Sequence, residues 1–174
     1  LQVSIQKRFS KGYMIAGTYT FSKFMQATEY LNATDAMPIE TISDVDTPHR
    51  LTISPIWELP FGRGRRFGSN VNGVANAFIG GWQLQGIYTF QSARPIGFGN
   101  VMFFGDINKL RLPGDQQTVN KWFANTAADG WVTSSSQVID TGTQLRTFPI
   151  RFGFLRSDNL VNFDISALKN TRVA

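Results

Sequence analysis

Few residues in this sequence could do covalent or metal chemistry. His49 is the only histidine and cysteine is absent, so a catalytic triad would have one imidazole to use and no thiolate could act as nucleophile or metal ligand. Neither a G-x-S-x-G elbow nor an H-E-x-x-H pair occurs. The sequence therefore predicts no enzyme, no cofactor and no metal site, and His49 is expected to open a strand.

Two charged segments remain. The segment 24 to 48 carries five carboxylates and no Lys or Arg, without the spacing of an EF-hand, so we expect a solvated acidic loop with calcium binding as the alternative. The run Gly62 to Gly68 contains three arginines but matches no phosphate-binding motif, and predicts a basic periplasmic turn near anionic headgroups or lipid A. The net charge of +5 lies in turns and strand ends, so nucleic acid is not an expected partner.

The dominant pattern is an alternation of apolar and polar residues over five segments of about ten residues, which predicts two-faced β-strands. Among the alternating positions of the apolar face, only Lys7 and Lys169 are charged. These positions are Leu1, Val3, Ile5, Lys7, Phe9; Tyr13, Ile15, Gly17, Tyr19, Phe21; Leu51, Ile53, Pro55, Trp57, Leu59; Trp82, Leu84, Gly86, Tyr88, Phe90; and Val161, Phe163, Ile165, Ala167, Lys169.

Three local details accompany this alternation. A three-residue link, Ser10 to Gly12, is expected to join the first two strands. In that register Phe9 pairs with Tyr13, Val3 with Tyr19, and Leu1 with Phe21. Pro55 cannot donate to a ladder and predicts a bulge.

The aromatic residues of the apolar face are sorted by height. With alternating strand directions, Phe9, Tyr13, Trp57 and Trp82 fall near one end, and Tyr19, Phe21, Tyr88, Phe90 and Phe163 near the other. Membrane interfaces attract such rings, whereas a soluble sandwich has no reason to sort them. The pattern predicts two girdles at the membrane interfaces, with Lys7 and Lys169 reaching water at the first end.

The connections between strands differ greatly in length. A barrel has short periplasmic turns and long outer loops, so the segments 24 to 48 and 92 to 160 are expected to be extracellular. The intermediate link 60 to 81 is expected to fold back, with residues 70 to 79 as a short helix or an extra hairpin. Trp122, Phe123 and Trp131 in the longest loop are candidates for substrate contact, and a small core of that loop is the alternative.

Several stretches, in order, resemble the barrel region of TonB-dependent outer-membrane receptors, in particular the Oar-like type with a carboxypeptidase-regulatory-like domain. They are VSIQKRFSKGYMIAGTYTFSK (3 to 23), DTPHRLTISPIWELPFGRGRRF (46 to 67), GGWQLQGIYTFQSARPI (80 to 96), NKWFANTA (120 to 127) and VNFDISALKN (161 to 170). The resemblance implies a barrel of about 22 antiparallel strands with a plugged lumen. It also implies uptake energised from the inner membrane.

The sequence thus predicts an all-β fold, in which residues 1–174 form part of a large antiparallel transmembrane β-barrel with about five strands and two long surface loops. The barrel is expected to be incomplete, with the plug, the remaining strands and the TonB-contacting segment missing. The expected partners are outer-membrane lipid, the rest of the same barrel and plug, and the TonB complex, in the bacterial outer membrane. The alternative is a soluble or surface-attached β-sandwich that binds carbohydrate or acts in adhesion.

Overall fold

The computed structural model of the chain describes residues 1–99, 101, 103–131, 133–134, 137–138 and 145–171. These residues form two compact units. One, called here the sheet unit, comprises Leu1–Ser22, Pro48–Ser92 and Asn159–Ala174, and the other, the loop unit, comprises Lys23–Thr47 and Ala93–Asp158. In the described part of the chain, no helix is both long enough and apolar enough to cross a membrane.

Strands are the main regular elements of the described residues, which contain one short α-helix. In chain order the elements are β1 (Gln2–Ser10), β2 (Tyr13–Phe21), β3 (Met25–Glu29), β4 (Ile39–Ile42), β5 (His49–Glu58), α1 (Gly73–Ile79), β6 (Trp82–Gln91), β7 (Pro95–Gly97), β8 (Thr133–Ser134), β9 (Gln137–Val138), β10 (Arg151–Arg156) and β11 (Leu160–Lys169). Short 3-10 helices span Ile107–Lys109, Gly114–Gln116 and Ala127–Asp129.

The sheet unit is an open antiparallel sheet in the order β1-β2-β5-β6-β11. Its members are the five segments whose alternation predicted strands, which confirms the all-β, antiparallel prediction. β1 and β11 are the edge strands, so each has one row of backbone groups without a neighbouring strand in this sheet. The described strands therefore do not close into a barrel.

The β1–β2 hairpin differs from the expected register at its turn. Lys11 and Gly12 both have positive φ, 54° and 84°, which is the two-residue turn that matches strand twist, so the predicted three-residue link is wrong. Ser10 therefore pairs with Tyr13, and a register shift between Lys7 and Ser10 takes up the extra residue. The predicted pairing of Phe9 with Tyr13 is also wrong for this reason.

The rest of the hairpin follows the prediction. Val3 pairs with Tyr19. The backbone groups of Leu1 and Phe21 exchange two hydrogen bonds of 2.8 Å. The alternation fixed these pairs because a one-residue slip would turn every apolar side chain to the other face.

Pro55 causes no bulge. The pairing of β2 with β5 runs through Ile15 and Pro55 without a shift. On the other side, the pairs of β5 with β6 stop after Ile53 and resume at Ile56 in the same register. The predicted bulge is wrong because a missing N–H interrupts one ladder locally and requires no extra residue.

The link between β5 and β6 contains α1, so the helix is the correct one of the two alternatives for this link. The side chain of Asn72 caps the helix by accepting a 2.7 Å hydrogen bond from the backbone N–H of Ala75. Before the helix, a bridge between Phe61 and Phe67 closes the basic turn.

The loop unit has its own hydrophobic core. β3 pairs with β4, β7 with β10, and β8 with β9. The buried residues of the core are Leu110, Trp131, Phe148, Phe152 and Leu155, with Ile96, Phe98, Val101, Phe103 and Phe123 packed against them. Both predicted surface loops thus contribute to one folded unit rather than to two separate loops.

Candidate functional site

The register of the sheet unit aligns the predicted apolar positions into transverse rows. Two of these rows cross all five strands, because the pairings away from the β1–β2 turn join positions of the same face. One row is Val3, Tyr19, Leu51, Phe90 and Val161, and the next is Ile5, Gly17, Ile53, Tyr88 and Phe163. The single apolar face predicted from the alternation is therefore present in the structure.

This apolar face is open to its surroundings. Ile5 on β1 is 70% exposed and Ile165 on β11 is 65% exposed, and large side chains between them are also exposed in part. A contiguous apolar surface of this kind marks contact with lipid or with another protein.

The opposite face of the sheet is polar and nearly uncharged at its centre. Its middle row consists of Ser4, Thr18, Thr52, Thr89 and Asn162, and the next row contains Gln6, Ala16, Ser54, Ile87 and Asp164. Hydroxyl and amide groups can exchange hydrogen bonds with water or with a polar solute. The sheet thus separates an apolar face from a face suited to an aqueous lumen.

One end of the apolar face carries the first group of predicted girdle residues. Tyr13 pairs with Trp57, and Trp82 pairs with Lys169. Phe9 lies in the shifted part of β1 near the same turn. The Lys7 ammonium lies 3.7 Å from the centre of the Tyr13 ring, and the Lys169 ammonium 4.9 Å from that of Trp82. Both lysines thus keep their charge at the end of the sheet, beside aromatic rings.

The other end carries the second group. Tyr19 and Phe90 share a row, Tyr88 meets Phe163 edge to face with 6.4 Å between ring centres, and Phe21 pairs with His49. The structure therefore places the aromatic residues at the two heights that the sequence predicted. Their position at membrane interfaces stays a prediction.

His49 belongs to this aromatic group. Its Nδ1 lies 2.7 Å from the Tyr19 hydroxyl, and the centre of its ring lies 5.2 Å from that of Phe21. The backbone N–H of His49 donates a hydrogen bond to the Ser92 Oγ, so this bond does not involve the imidazole ring. The histidine opens β5 as expected.

The loop unit holds the three aromatic candidates for substrate contact. Trp131 is 3% exposed, stacks on Phe98 and donates its indole N–H to the Ala124 carbonyl at 2.7 Å. Phe123 packs edge to face on Phe98 and is partly buried against the same core. The geometry thus gives Trp131 and Phe123 a core position, the alternative that the sequence left open.

Trp122 has a different environment. It is half-buried, and its indole N–H donates to the Arg156 carbonyl at 2.6 Å. Contact of Trp122, Phe123 or Trp131 with a substrate stays a prediction.

A buried ion pair joins distant segments of the loop unit. The carboxylate of Asp46, with no exposed surface, lies 2.7 Å from the Arg156 guanidinium. Arg156 also donates to the carbonyls of Asp46 and Ala93, each at 2.9 Å, and Asp46 accepts from the Phe24 N–H at 2.6 Å. The expectation of a solvated acidic loop is wrong for Asp46, because its carboxylate is buried against Arg156. The two residues lie 110 positions apart in sequence, so no local pattern indicates the pair.

A second polar cluster lies around Arg146. Its guanidinium donates to the carbonyls of Phe148 and Phe98, and its backbone exchanges two hydrogen bonds with the Asn32 side chain. The pKa of Arg146 is lowered, chiefly by burial, and the negative charge of the nearby Glu29 opposes this effect in part. Glu29 itself pairs with Arg151 at 2.9 Å, so a second carboxylate of the acidic segment is not free in solvent.

Asp129 shows a smaller local effect. Its carboxylate accepts hydrogen bonds from the hydroxyl and the backbone N–H of Thr126, at 2.6 and 2.9 Å. These hydrogen bonds lower the pKa of Asp129. Within the ranges that the structure describes, no three His, Cys, Asp or Glu side chains are grouped to hold a metal ion.

The sequence reasoning missed the three arginines that pair or bond inside the loop unit, Arg146, Arg151 and Arg156, because long-range pairing leaves no local signal. It also missed the exposed apolar face of α1, although Val74 and Phe78 stand at i and i+4, a spacing that could have indicated it.

A comparison with protein-family models matches residues 1–174 to a family described as an outer membrane beta barrel domain. Comparisons with curated proteins and with solved structures found no match. The family match covers the segments of the sheet unit and of the loop unit alike.

Proposed function

Because the chain belongs to the outer membrane β-barrel domain family and is located in the bacterial outer membrane, we propose that it is part of a TonB-dependent receptor for energy-coupled uptake. In the outer membrane, the apolar face of the sheet contacts membrane lipid. The proposal extends to the Oar-like type, which the ordered stretches of the sequence resemble. The substrate is a polar solute that crosses the membrane along the opposite face.

The loop unit is the observation that carries the proposal. Its two segments leave the sheet at the same end, after Phe21 and after Gln91, where β2, β5, β6 and β11 have their aligned termini. Together they build a folded unit with an aromatic core and two partly buried arginine networks. A pore that only lets small solutes diffuse has no need for a folded unit of this size, whereas a receptor needs one to capture its substrate outside.

The polar face supports the same proposal. Its central row of threonines, with Ser4 and Asn162 at its ends, offers hydroxyl and amide groups that replace the water around a polar solute. Because such a lining binds weakly and at many points, a solute can move along it. The plug and the TonB-contacting segment that the proposal requires would be other parts of the same protein.

The proposal can be tested without knowing the substrate. The compounds left in the spent growth medium are compared for three cultures. These are wild-type source cells, cells that lack the gene of this protein, and cells that lack TonB. The proposal expects at least one compound that the wild type removes and that both mutants leave in the medium. Reintroduction of the full-length gene should restore its removal.

Two results would contradict the proposal. If the gene deletion leaves uptake of every compound unchanged, or if cells without TonB still take up the compound that the deletion affects, energy-coupled uptake is wrong. A loss of attachment to surfaces, with unchanged uptake, would instead support the adhesion alternative.

A further inference from the structure

The link between β5 and β6, residues 59–81, brings exposed apolar side chains to one end of the sheet unit. On α1, Val74 is 71% exposed and Phe78 is 73% exposed. Their i, i+4 spacing places both on one side of the helix. The sheet unit therefore leaves this side of α1 uncovered.

The end of α1 is fastened next to the apolar face of the sheet. The Phe78 carbonyl accepts a 2.8 Å hydrogen bond from the Trp82 indole and a 2.9 Å hydrogen bond from the Lys169 ammonium. Trp82 and Lys169 pair across β6 and β11 on the apolar face. The end of α1 is thus held beside two residues of the apolar face, the surface that we place against lipid.

The same link is basic. Between residues 59 and 81 the sequence has three arginines and no carboxylate. Arg66 is exposed and, among the described residues, forms no ion pair, with its guanidinium 5.5 Å from the centre of the Phe67 ring. Arg65 pairs with Glu58 at 2.9 Å, and the Arg65 side chain is about half exposed.

A cationic cleft lies beside the helix. Its volume is about 620 Å³, and Arg63 and Arg65 line it together with Asn76 and Asn170. Guanidinium groups bind phosphate oxygens through paired hydrogen bonds, and amide side chains add further donors. The cleft and the exposed apolar residues thus combine the two chemistries of a phospholipid, a phosphate and an acyl chain.

We propose that the link 59–81 is an interfacial anchor that binds anionic phospholipids of the periplasmic leaflet. Val74 and Phe78 enter the boundary between headgroups and acyl chains, where interfacial helices lie. Arg63, Arg65 and Arg66 contact the phosphates, since basic segments are attracted to anionic headgroups. The periplasmic side follows from the two-residue turn at Lys11 and Gly12, which is hydrogen-bonded to Glu58 at the same end of the sheet.

This inference rests on the membrane placement that the family gives and does not depend on energy-coupled uptake. Its test uses the full-length protein in nanodiscs of phosphatidylcholine, with and without phosphatidylglycerol. The variants Val74→Cys and Phe78→Cys each carry a nitroxide, with any cysteine elsewhere in the protein replaced. Ser69→Cys, in the polar stretch before α1, is the matched control. Retained heat modifiability shows that each variant is folded.

The accessibility of each nitroxide to oxygen, which partitions into lipid, is compared with its accessibility to a water-soluble nickel chelate. The proposal expects a ratio several-fold higher at residues 74 and 78 than at residue 69, with a further rise when phosphatidylglycerol is present. Equal preference for the nickel chelate at all three positions would overturn it. Protection from both reagents at residues 74 and 78 would also overturn it, because protein rather than lipid would then cover the helix.

The charge contribution has its own control. In the Phe78→Cys background, Arg66→Gln should reduce the rise caused by phosphatidylglycerol. Arg111→Gln, which removes an exposed arginine of the loop unit, should leave it unchanged. If Arg111→Gln reduces the rise as much as Arg66→Gln, the effect reports net charge and the assignment to the link is wrong.

Discussion

Pro55 and Gly86 lie opposite each other on the apolar face of the sheet, with the proline ring next to the glycine. A side chain at residue 86 would begin 3.5 Å from Pro55 Cγ. The two residues sit where the ladder between β5 and β6 is interrupted and then resumes in the same register. The proline thus removes one backbone donor from the sheet, and its ring lies beside the glycine on the apolar face.

The first prediction concerns this interruption. Pro55→Val supplies the missing N–H and a β-branched side chain, so we expect it to stabilise the full-length protein by about 1 kcal/mol. Gly86→Ala is the control: its Cβ would meet its neighbours at ordinary contact distance, so we expect a change within about 0.5 kcal/mol. Guanidinium unfolding in phospholipid vesicles measures both. A less stable Pro55→Val variant would show that residue 55 requires the proline backbone.

The second prediction concerns the pair of Asp46 and Arg156. Arg156→Met leaves the Asp46 carboxylate buried without its cation, and breaking a buried pair in this way costs about 3–5 kcal/mol. We expect rapid cleavage of the loop unit by protease added to intact cells, with the barrel itself still resistant. Arg111→Gln is the control, because it removes an exposed arginine of the same unit and should leave protease resistance unchanged. Equal resistance of the Arg156→Met variant and the wild type would contradict the prediction.

The sequence predicted the sheet unit in more detail than the loop unit, for a physical reason. In the sheet, each strand alternates between two environments, so residues such as Val3 and Tyr19 reveal their face and their partner through local pattern alone. The turn at Lys11 was missed because a left-handed lysine leaves no signal as strong as a glycine. In the loop unit, the partner of Asp46 is set by the folded chain, and no local pattern encodes a pair so distant in sequence.

The third prediction separates core from substrate contact among the loop aromatics. Trp131→Ala should destabilise the loop unit by about 3–5 kcal/mol, since it empties a buried site. Trp122→Ala should cost less, because Trp122 is only half-buried. Protease sensitivity on intact cells and uptake of the compound identified by medium comparison are measured together. A variant that loses uptake with normal protease resistance would mark a residue that contacts substrate.

The fourth prediction is a dependence on pH. The Thr126 hydrogen bonds lower the pKa of Asp129 in the folded state, so the ionised carboxylate stabilises the 3-10 turn Ala127–Asp129. That contribution is fully present above the unfolded-state pKa, about 3.9 for an aspartate, and is lost as the pH falls through the lower folded-state value. Carboxyl carbon chemical shifts of labelled aspartate should show Thr126→Val moving the Asp129 titration upward, towards the ordinary value. An unchanged titration would mean that the Thr126 hydroxyl does not hold the carboxylate.

The last prediction concerns which side of the membrane each end of the sheet faces. Val119 lies in the loop unit and is fully exposed, whereas Ser69 lies in the link that joins Glu58 of β5 to Trp82 of β6. If the loop unit is extracellular, a membrane-impermeant maleimide should label Val119→Cys on intact cells and should label Ser69→Cys only after the outer membrane is permeabilised. Both sites lie on the protein surface among polar residues, so a difference in labelling reports the outer-membrane barrier and not local reactivity. The reverse pattern would place the loop unit in the periplasm, where it could not capture a substrate from outside, and would remove the observation on which the uptake proposal rests.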